Sequence, residues 1–218
     1  MTNQENIINK TITFVKETLE GAEGGHDWFH IERVYKNALL ISKTEDVNGF
    51  VVALGALLHD IADSKFHNGD ETVGPKMARE FLSALNVDDE TIQHVVNIIE
   101  NISFKGGNIK QKFTSPEFNV VQDADRLDAI GAIGISRCFN YGGFKNRALY
   151  NPEIKPNLNM SKAEYKGSTA PTINHFYEKL LLLKDRMNTE TGKLIANERH
   201  KFMLQFLEQF YSEWDGKA

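Results

Sequence analysis

The chain has a single cysteine, Cys138, and only five prolines in 218 residues. One thiol closes no internal disulfide and builds no thiolate metal cluster, and that usage fits a reducing cytosol. No apolar run approaches the ~20 residues that a membrane-spanning helix needs. The segment from Met1 to Asn9 is polar and has no basic-then-apolar leader pattern. Positive charge is also in short supply. Against 30 Asp+Glu stand 25 Lys+Arg, a formal net charge of −5, whereas a protein that coats nucleic acid presents a broad basic face. These absences predict a soluble, cytoplasmic protein with no membrane and no nucleic-acid polymer among its partners. The composition permits a homodimer without requiring one.

What is present is helical period. The five prolines, Pro75, Pro116, Pro152, Pro156 and Pro171, lie at or outside the edges of the periodic segments and leave long stretches free to be helical. Ile8, Ile12, Val15 and Leu19 step by three and four. So do Ile92, Val95, Ile99 and Ile102, and then Ile173, Phe176, Leu180, Leu183 and Met187. No strand alternation competes. The spacing predicts an all-α chain with helices at roughly 4–20, 27–44, 49–63, 73–85, 89–103, 117–139, 171–189 and 193–214. No internal repeat or composition shift divides it, so 1–218 is read as one domain. A long irregular flap is expected at about 141–170. Within it Lys145, Arg147, Lys155, Lys162 and Lys166 oppose only Glu153 and Glu164, and Tyr141, Phe144, Tyr150 and Tyr165 are interleaved with those cations. Such a mixture suits a small ligand with phosphates and an aromatic base; its plainer reading is a solvated surface loop.

Seven histidines are the other anomaly. His59-Asp60 follows the apolar stretch Val51 to Leu58, where an imidazole and a carboxylate are costly to bury without partners. His30, Val34 and Ala38 lie at four-residue steps, which puts His30 on the inward stripe of its helix. Val121, Asp125, Asp128 and Ala132 share one helical face, and two carboxylates there require a cation, either a metal or an arginine such as Arg126 or Arg137. Taken singly, each has a plainer explanation: a helix end reaching water, a hydrogen-bonded core histidine, an ion pair. Together they present two imidazoles, His30 and His59, and two carboxylates, Asp60 and Asp125, a mixed nitrogen and oxygen donor set. That set suits Mn, Fe, Co, Ni or Zn better than Ca, and Mg matches imidazole poorly. His26 and His30, four apart, superficially resemble a zinc-peptidase pair, but the glutamate of His-Glu-x-x-His is missing. His94 sits one position off its apolar stripe and reads as structural, and His200 as surface.

The order His30, then His59-Asp60, then Asp125 resembles the signature of the HD-domain metal-dependent phosphohydrolases, an all-α helical bundle. The stretches 26–34, 59–66, 123–131 and 175–181 are similar to the small bacterial YpgQ/YedJ-like branch, so the resemblance covers most of the chain. It implies hydrolysis of phosphoester or phosphoanhydride bonds with metal-activated water, and in this branch conversion of nucleoside triphosphate to monophosphate and pyrophosphate. It implies His30, His59, Asp60 and Asp125 as metal ligands, with Mn first and Fe, Co, Ni, Zn and Mg as the other candidates. It implies a proton-transfer role for Asp63, three residues after Asp60, although related enzymes often carry the longer glutamate there. Lys65 and His67 are expected at the substrate phosphates. Arg126, Tyr141, Lys145, Arg147 and His175 complete the expected nucleotide-binding set. The rival readings are a phosphomonoesterase, a cyclic-nucleotide phosphodiesterase, or a non-enzymatic metal or nucleotide sensor.

Overall fold

The structure, a computed structural model, describes residues 2–22, 25, 27–62, 70–102, 113–161, 164 and 167–218. All regular secondary structure among them is helical, and the chain forms two compact units, Met1–Asp125 and Arg126–Ala218.

The first unit is built around one helix that is apolar on every side. Helix α1 spans Asn3–Thr18, α2 Trp28–Ile41, α3 Gly49–Leu58, α4 Val73–Ala84, α5 Asp89–Ile102 and α6 Pro116–Asp128, the last three residues of α6 belonging to the second unit. Helix α1 starts with a capping box: the Glu5 amide donates to Thr2 Oγ1 and the Thr2 amide to Glu5 Oε2. In α3 every residue from Val51 to Leu58 is buried, as expected of a helix with no polar face, and α1, α2 and α5 pack against it. Each of Leu54, Leu57 and Leu58 contributes about 1.5–3 kcal/mol through removal from water. Gly55 sets how close the neighbours come. A Cβ there would lie 3.2 Å from Ile98 Cδ1 of α5 and 3.4 Å from Val121 Cγ2 of α6. The helix starts at Asn48, whose side chain accepts from the Phe50 and Val51 amides and whose own amide donates to Glu117 Oε1 at the head of α6.

The second unit holds α7 (Gly131–Phe144), the short α8 (Asn174–Glu178), two 3₁₀ turns at Leu180–Leu182 and Lys184–Arg186, and α9 (Glu190–Trp214). Helix α7 packs on α9. Phe139, Phe176 and Phe206 form a triangle with ring centroids 5.8–6.1 Å apart.

Three expectations about helices need correction. The helix expected over 117–139 is two helices, because Gly131 adopts a left-handed φ of +74° and the chain turns between Asp128 and Gly131. The helix expected over 171–189 breaks at Lys179 (φ −144°, ψ −58°) into α8 and the two turns. Its apolar period still marks the core: Ile173, Phe176, Leu180, Leu183 and Met187 are all buried. The flap begins later than expected, since Tyr141 to Phe144 are the last turn of α7; 145–161 is irregular. No helix among the described residues is long and apolar enough to cross a membrane.

Candidate metal centre

Helix α2 begins at Trp28 because Asp27 caps it: Asp27 Oδ1 accepts from the His30 amide at 2.9 Å. The cap fixes the first turn. From there the four-residue stripe of His30, Val34 and Ala38 turns inward, with His30 2% exposed and Val34 and Ala38 fully buried. Asp27 is thus the helix start within His-Asp-Trp-Phe-His. A carboxylate just before an apolar-periodic segment is the ordinary sign of such a cap, and it explains the residue without a ligand role.

His59 is the C-cap of α3 and is 7% exposed. Its Nδ1 lies 2.8 Å from the Ala56 carbonyl oxygen. A carbonyl has no proton to give, so Nδ1 donates, and the bond turns Nε2 the other way. Nε2 faces a concentration of donors. His30 Nε2 is 3.3 Å away, and Asp125 Oδ1, from α6, is 3.6 Å from His30 Nε2 and 3.8 Å from His59 Nε2. Ligand atoms of His30, His59 and Asp60 all lie within 4.8 Å of one another. Asp60 is half-buried and the Asp125 side chain is 36% exposed, so the carboxylate side reaches solvent while the imidazoles form the buried floor.

This arrangement fits a divalent transition metal. Bonds of about 2.1 Å at tetrahedral or octahedral angles hold neighbouring donors about 3.0–3.4 Å apart, close to the separations around His59 Nε2. The His59 Nδ1 bond to Ala56 is the kind of support that orients a metal-binding imidazole. Imidazole nitrogens with carboxylate oxygens match Mn, Fe, Co, Ni or Zn. The Ala56 support carries no motif of its own in the sequence, since any helical residue three before a histidine would read the same.

The neighbouring carboxylate on α6, Asp128, has the other explanation. It is 1% exposed and receives Arg137 Nη1 at 2.5 Å. Arg126, expected at the nucleotide, donates to the Arg186 carbonyl. Tyr141, Lys145, Arg147 and His175 belong to the second unit. There Lys145 Nζ is 5.0 Å from the Phe144 ring centroid and the Arg147 guanidinium 5.6 Å from that of Tyr141. Burial, then Lys179 and Arg147, push the His175 imidazole down to about 3. His26, Asp63, Lys65 and His67 lie outside the described residues. His94 Nε2 is 2.8 Å from Ser115 Oγ and 3.5 Å from Glu117 Oε2. Burial pushes the Glu117 carboxyl up, but the Asn48 amide, its own amide, His94 and Ser115 together hold it below the usual range.

The HD domain family model matches residues 28–130, which contain all four converging side chains. The chain is 38% identical over 207 residues to the uncharacterised protein YpgQ of Bacillus subtilis (strain 168), covering 94% of this chain and 92% of that one. Among solved structures, an HD-superfamily hydrolase from Bacillus thuringiensis superposes with a TM-score of 0.79 at 47% identity, covering 98% and 99% of the two chains. Bacillus subtilis YpgQ in complex with ADP superposes with a TM-score of 0.77 at 33% identity, covering 97% of each chain.

Proposed function

The chain belongs to the HD-domain superfamily of metal-dependent phosphohydrolases, and from that premise we propose that it is a nucleotide pyrophosphohydrolase, releasing pyrophosphate from a nucleoside triphosphate. The observation that carries this reading is the convergence of His30 Nε2, His59 Nε2 and Asp125 Oδ1 within 3.8 Å, beside Asp60. In the proposal His30, His59, Asp60 and Asp125 hold a divalent cation, Mn before Fe, Co, Ni, Zn or Mg. Such a cation supplies Lewis acidity toward a phosphoryl oxygen and lowers the pKa of bound water.

The chain's own residues do the rest. His59 donates an Nδ1–H hydrogen bond to the Ala56 carbonyl, which orients Nε2 toward the other donors. His30 is fixed by the Asp27 cap at the floor of the site. Asp63 manages the proton, and Lys65 and His67 offset phosphate charge. Cations and rings of the second unit, among them Tyr141, Lys145 and Arg147, suit a ligand with phosphates and a base. The nucleotide class is supported by the relative solved with ADP. One HD-type domain over 1–218 is part of the same proposal, as is action in the cytoplasm on a free nucleotide.

The test begins with metal analysis of the purified protein. A nucleotide panel with Mn follows, its products separated by chromatography. Nucleoside monophosphate with pyrophosphate is the expected outcome. Orthophosphate release, or a linear monophosphate from a cyclic substrate, would replace the proposal with a phosphomonoesterase or a phosphodiesterase. Asp60→Ala is expected to lose both bound metal and turnover; full turnover in that variant would overturn the assignment.

A further inference from the structure

The irregular segment 145–161 is fixed as a wall of the second unit. The Ala148 and Leu149 carbonyls accept the Thr172 and Ile173 amides at 2.9 and 3.0 Å. Asn174 Nδ2 of α8 donates to the Ile154 carbonyl at 3.0 Å, and the Asn157 amide donates to Glu178 Oε1 at 3.0 Å. Tyr150 is seated on the end of α9, its ring 5.3 Å from that of Tyr211 and 5.1 Å from that of Trp214, both edge to face. Pro152 and Pro156 restrict the backbone between these anchors. An irregular stretch of this length, held at several points, is a common place for a binding site. Residues of this wall, of α8 and of α9 line a cavity of about 280 Å³.

Its lining has one charge and a few polar atoms with bonding capacity to spare. Among the described residues Lys155 is the only charged one that lines it, and its ammonium forms no ion pair with any of them. Tyr177 Oη donates to Tyr211 Oη at 3.3 Å, so one of the two phenol protons is used between the rings and the Tyr211 proton is left for a further acceptor. Burial and the Tyr177 bond hold the Tyr211 phenol above its ordinary range, so that proton stays on oxygen. Asn174 is 2% exposed and commits Nδ2 to Ile154; among the described residues no donor reaches its Oδ1. The cavity thus offers a cation, a phenol donor and an amide acceptor beside the rings of Tyr150 and Tyr211.

That inventory describes an occupant. Lys155 and the Tyr211 hydroxyl call for an anionic oxygen, and one carboxylate can receive both. Asn174 Oδ1 calls for a hydroxyl or amino donor. Tyrosine rings pack well against another ring, offset or edge on. An apolar cavity of about 150 Å³ holds benzene, so in proportion about 250 Å³ holds a ring with four further heavy atoms. We infer that this cavity is a binding site for a single-ring aromatic carboxylate that also carries a hydrogen-bond donor. It lies wholly within the second unit, shares no residue with His30, His59, Asp60 or Asp125, and is independent of the phosphohydrolase reading.

The test is isothermal titration calorimetry of the full-length protein with 4-hydroxybenzoate in EDTA, where no cation at the metal centre can take the carboxylate. Wild type is expected to bind with a dissociation constant below about 1 mM. Tyr211→Phe keeps the ring and removes the hydroxyl, and is expected to weaken binding at least about tenfold. Lys155→Gln is expected to weaken it about three- to tenfold, the smaller loss because Lys155 is exposed, and Lys155→Arg to recover most of the affinity. Two other probes are each expected to bind wild type at least about tenfold more weakly: 4-hydroxybenzyl alcohol, which lacks the carboxylate, and cyclohexanecarboxylate, which lacks the flat ring. Asp60→Ala is expected to bind 4-hydroxybenzoate as wild type does. The site is overturned by no binding in wild type, by unchanged affinity in Tyr211→Phe or Lys155→Gln, or by lost binding in Asp60→Ala. An alcohol or a cyclohexane acid that binds as tightly as 4-hydroxybenzoate overturns the ligand class.

Discussion

Metal binding at the proposed centre has a thermal consequence that follows from its donors. His30 and His59 are buried and already close together in the folded chain, and an unfolded chain does not hold them 3.3 Å apart. Mn held by the proposed centre would therefore bind the native state in preference. At a free concentration 100 times the dissociation constant, such binding stabilises by about 2.7 kcal/mol. For a chain of this length about 1 kcal/mol moves the melting temperature by roughly 2–4 °C, so the expected rise is about 5–11 °C. If the first unit melts by itself, its smaller unfolding entropy makes the rise larger.

The decisive variant is His59→Ala, and its baseline must be handled separately from its metal response. Removing the ring leaves the Ala56 carbonyl without its side-chain donor, which costs about 1–3 kcal/mol before any metal is added. The comparison is therefore the Mn-induced shift within each protein, read by scanning calorimetry over a metal titration, and not the absolute melting temperature. The shift is expected to fall to a small fraction of the wild-type value. Asp125→Ala is expected to lose most of the shift with a smaller baseline penalty, since its side chain is 36% exposed. An undiminished Mn shift in His59→Ala, or no shift in wild type, refutes the reasoning.

Two further outcomes follow from the second unit. His175 has a folded pKa of about 3, well below its ordinary 6.5, so between those values the unfolded chain binds the extra proton. Its contribution is whole above pH 6.5 and is lost as pH falls toward 3, at up to about 1.4 kcal/mol per unit. Unfolding free energies from urea titrations are expected to fall less between pH 7 and pH 5 in His175→Gln than in wild type, by up to about 2 kcal/mol; equal falls would contradict the buried neutral imidazole. Arg137→Ala removes the 2.5 Å partner of the Asp128 carboxylate while the Arg199 guanidinium still acts on it, so chemical denaturation is expected to show a loss smaller than the roughly 3–5 kcal/mol of a fully stranded buried charge. Adding Asp128→Asn is expected to return part of that loss; a double variant no better than the single would mean the ion pair is not the cause.

Helix positions were legible wherever an apolar period coincided with a cap. Thr2, Asp27 and Asn48 each start a helix near its expected position, their side chains accepting the first free amides, whereas the Thr189 cap starts α9 at Glu190, three residues before its expected start. What the period could not show is whether a buried stripe is one helix. Ile173, Phe176, Leu180, Leu183 and Met187 are buried in their expected order, yet Ile173 is the N-cap of α8, Phe176 lies in it, Leu180 is in the first 3₁₀ turn, Leu183 lies between the two turns and Met187 is extended after the second. A stripe of spacing three and four is satisfied by consecutive turns of either helical type, so burial is predicted well and continuity poorly. The approach of His30, His59 and Asp125 was legible on other grounds. Histidine and aspartate at the ends of apolar segments incur a desolvation cost that must be met, whatever the exact course of the helix.

Asp125 and Asp128 bring out the limit of that argument. The sequence places both on one face of one helix and offers both the same two partners, a metal or an arginine. The break after Asp128 separates them. In an unbroken helix Arg137, nine residues on, would stand about 13.5 Å further along the axis than Asp128, at a rise of about 1.5 Å per residue, and far around it. Gly131 turns the chain, α7 returns, and a Cβ on Gly134 would lie 2.2 Å from the Ala129 carbonyl, so close is the approach; Arg137 then reaches Asp128 at 2.5 Å. The more buried carboxylate thus receives a fixed counter-ion from its own unit. Asp125, one turn earlier and more exposed, faces two imidazoles instead. A cation from solution is the partner that this arrangement calls for. Gly131→Ala, which disfavours the left-handed turn, is accordingly expected to loosen the Asp128 pair and lower stability while leaving the metal-induced thermal shift largely in place. Loss of that shift in a variant that still folds would show that the turn positions Asp125 as well.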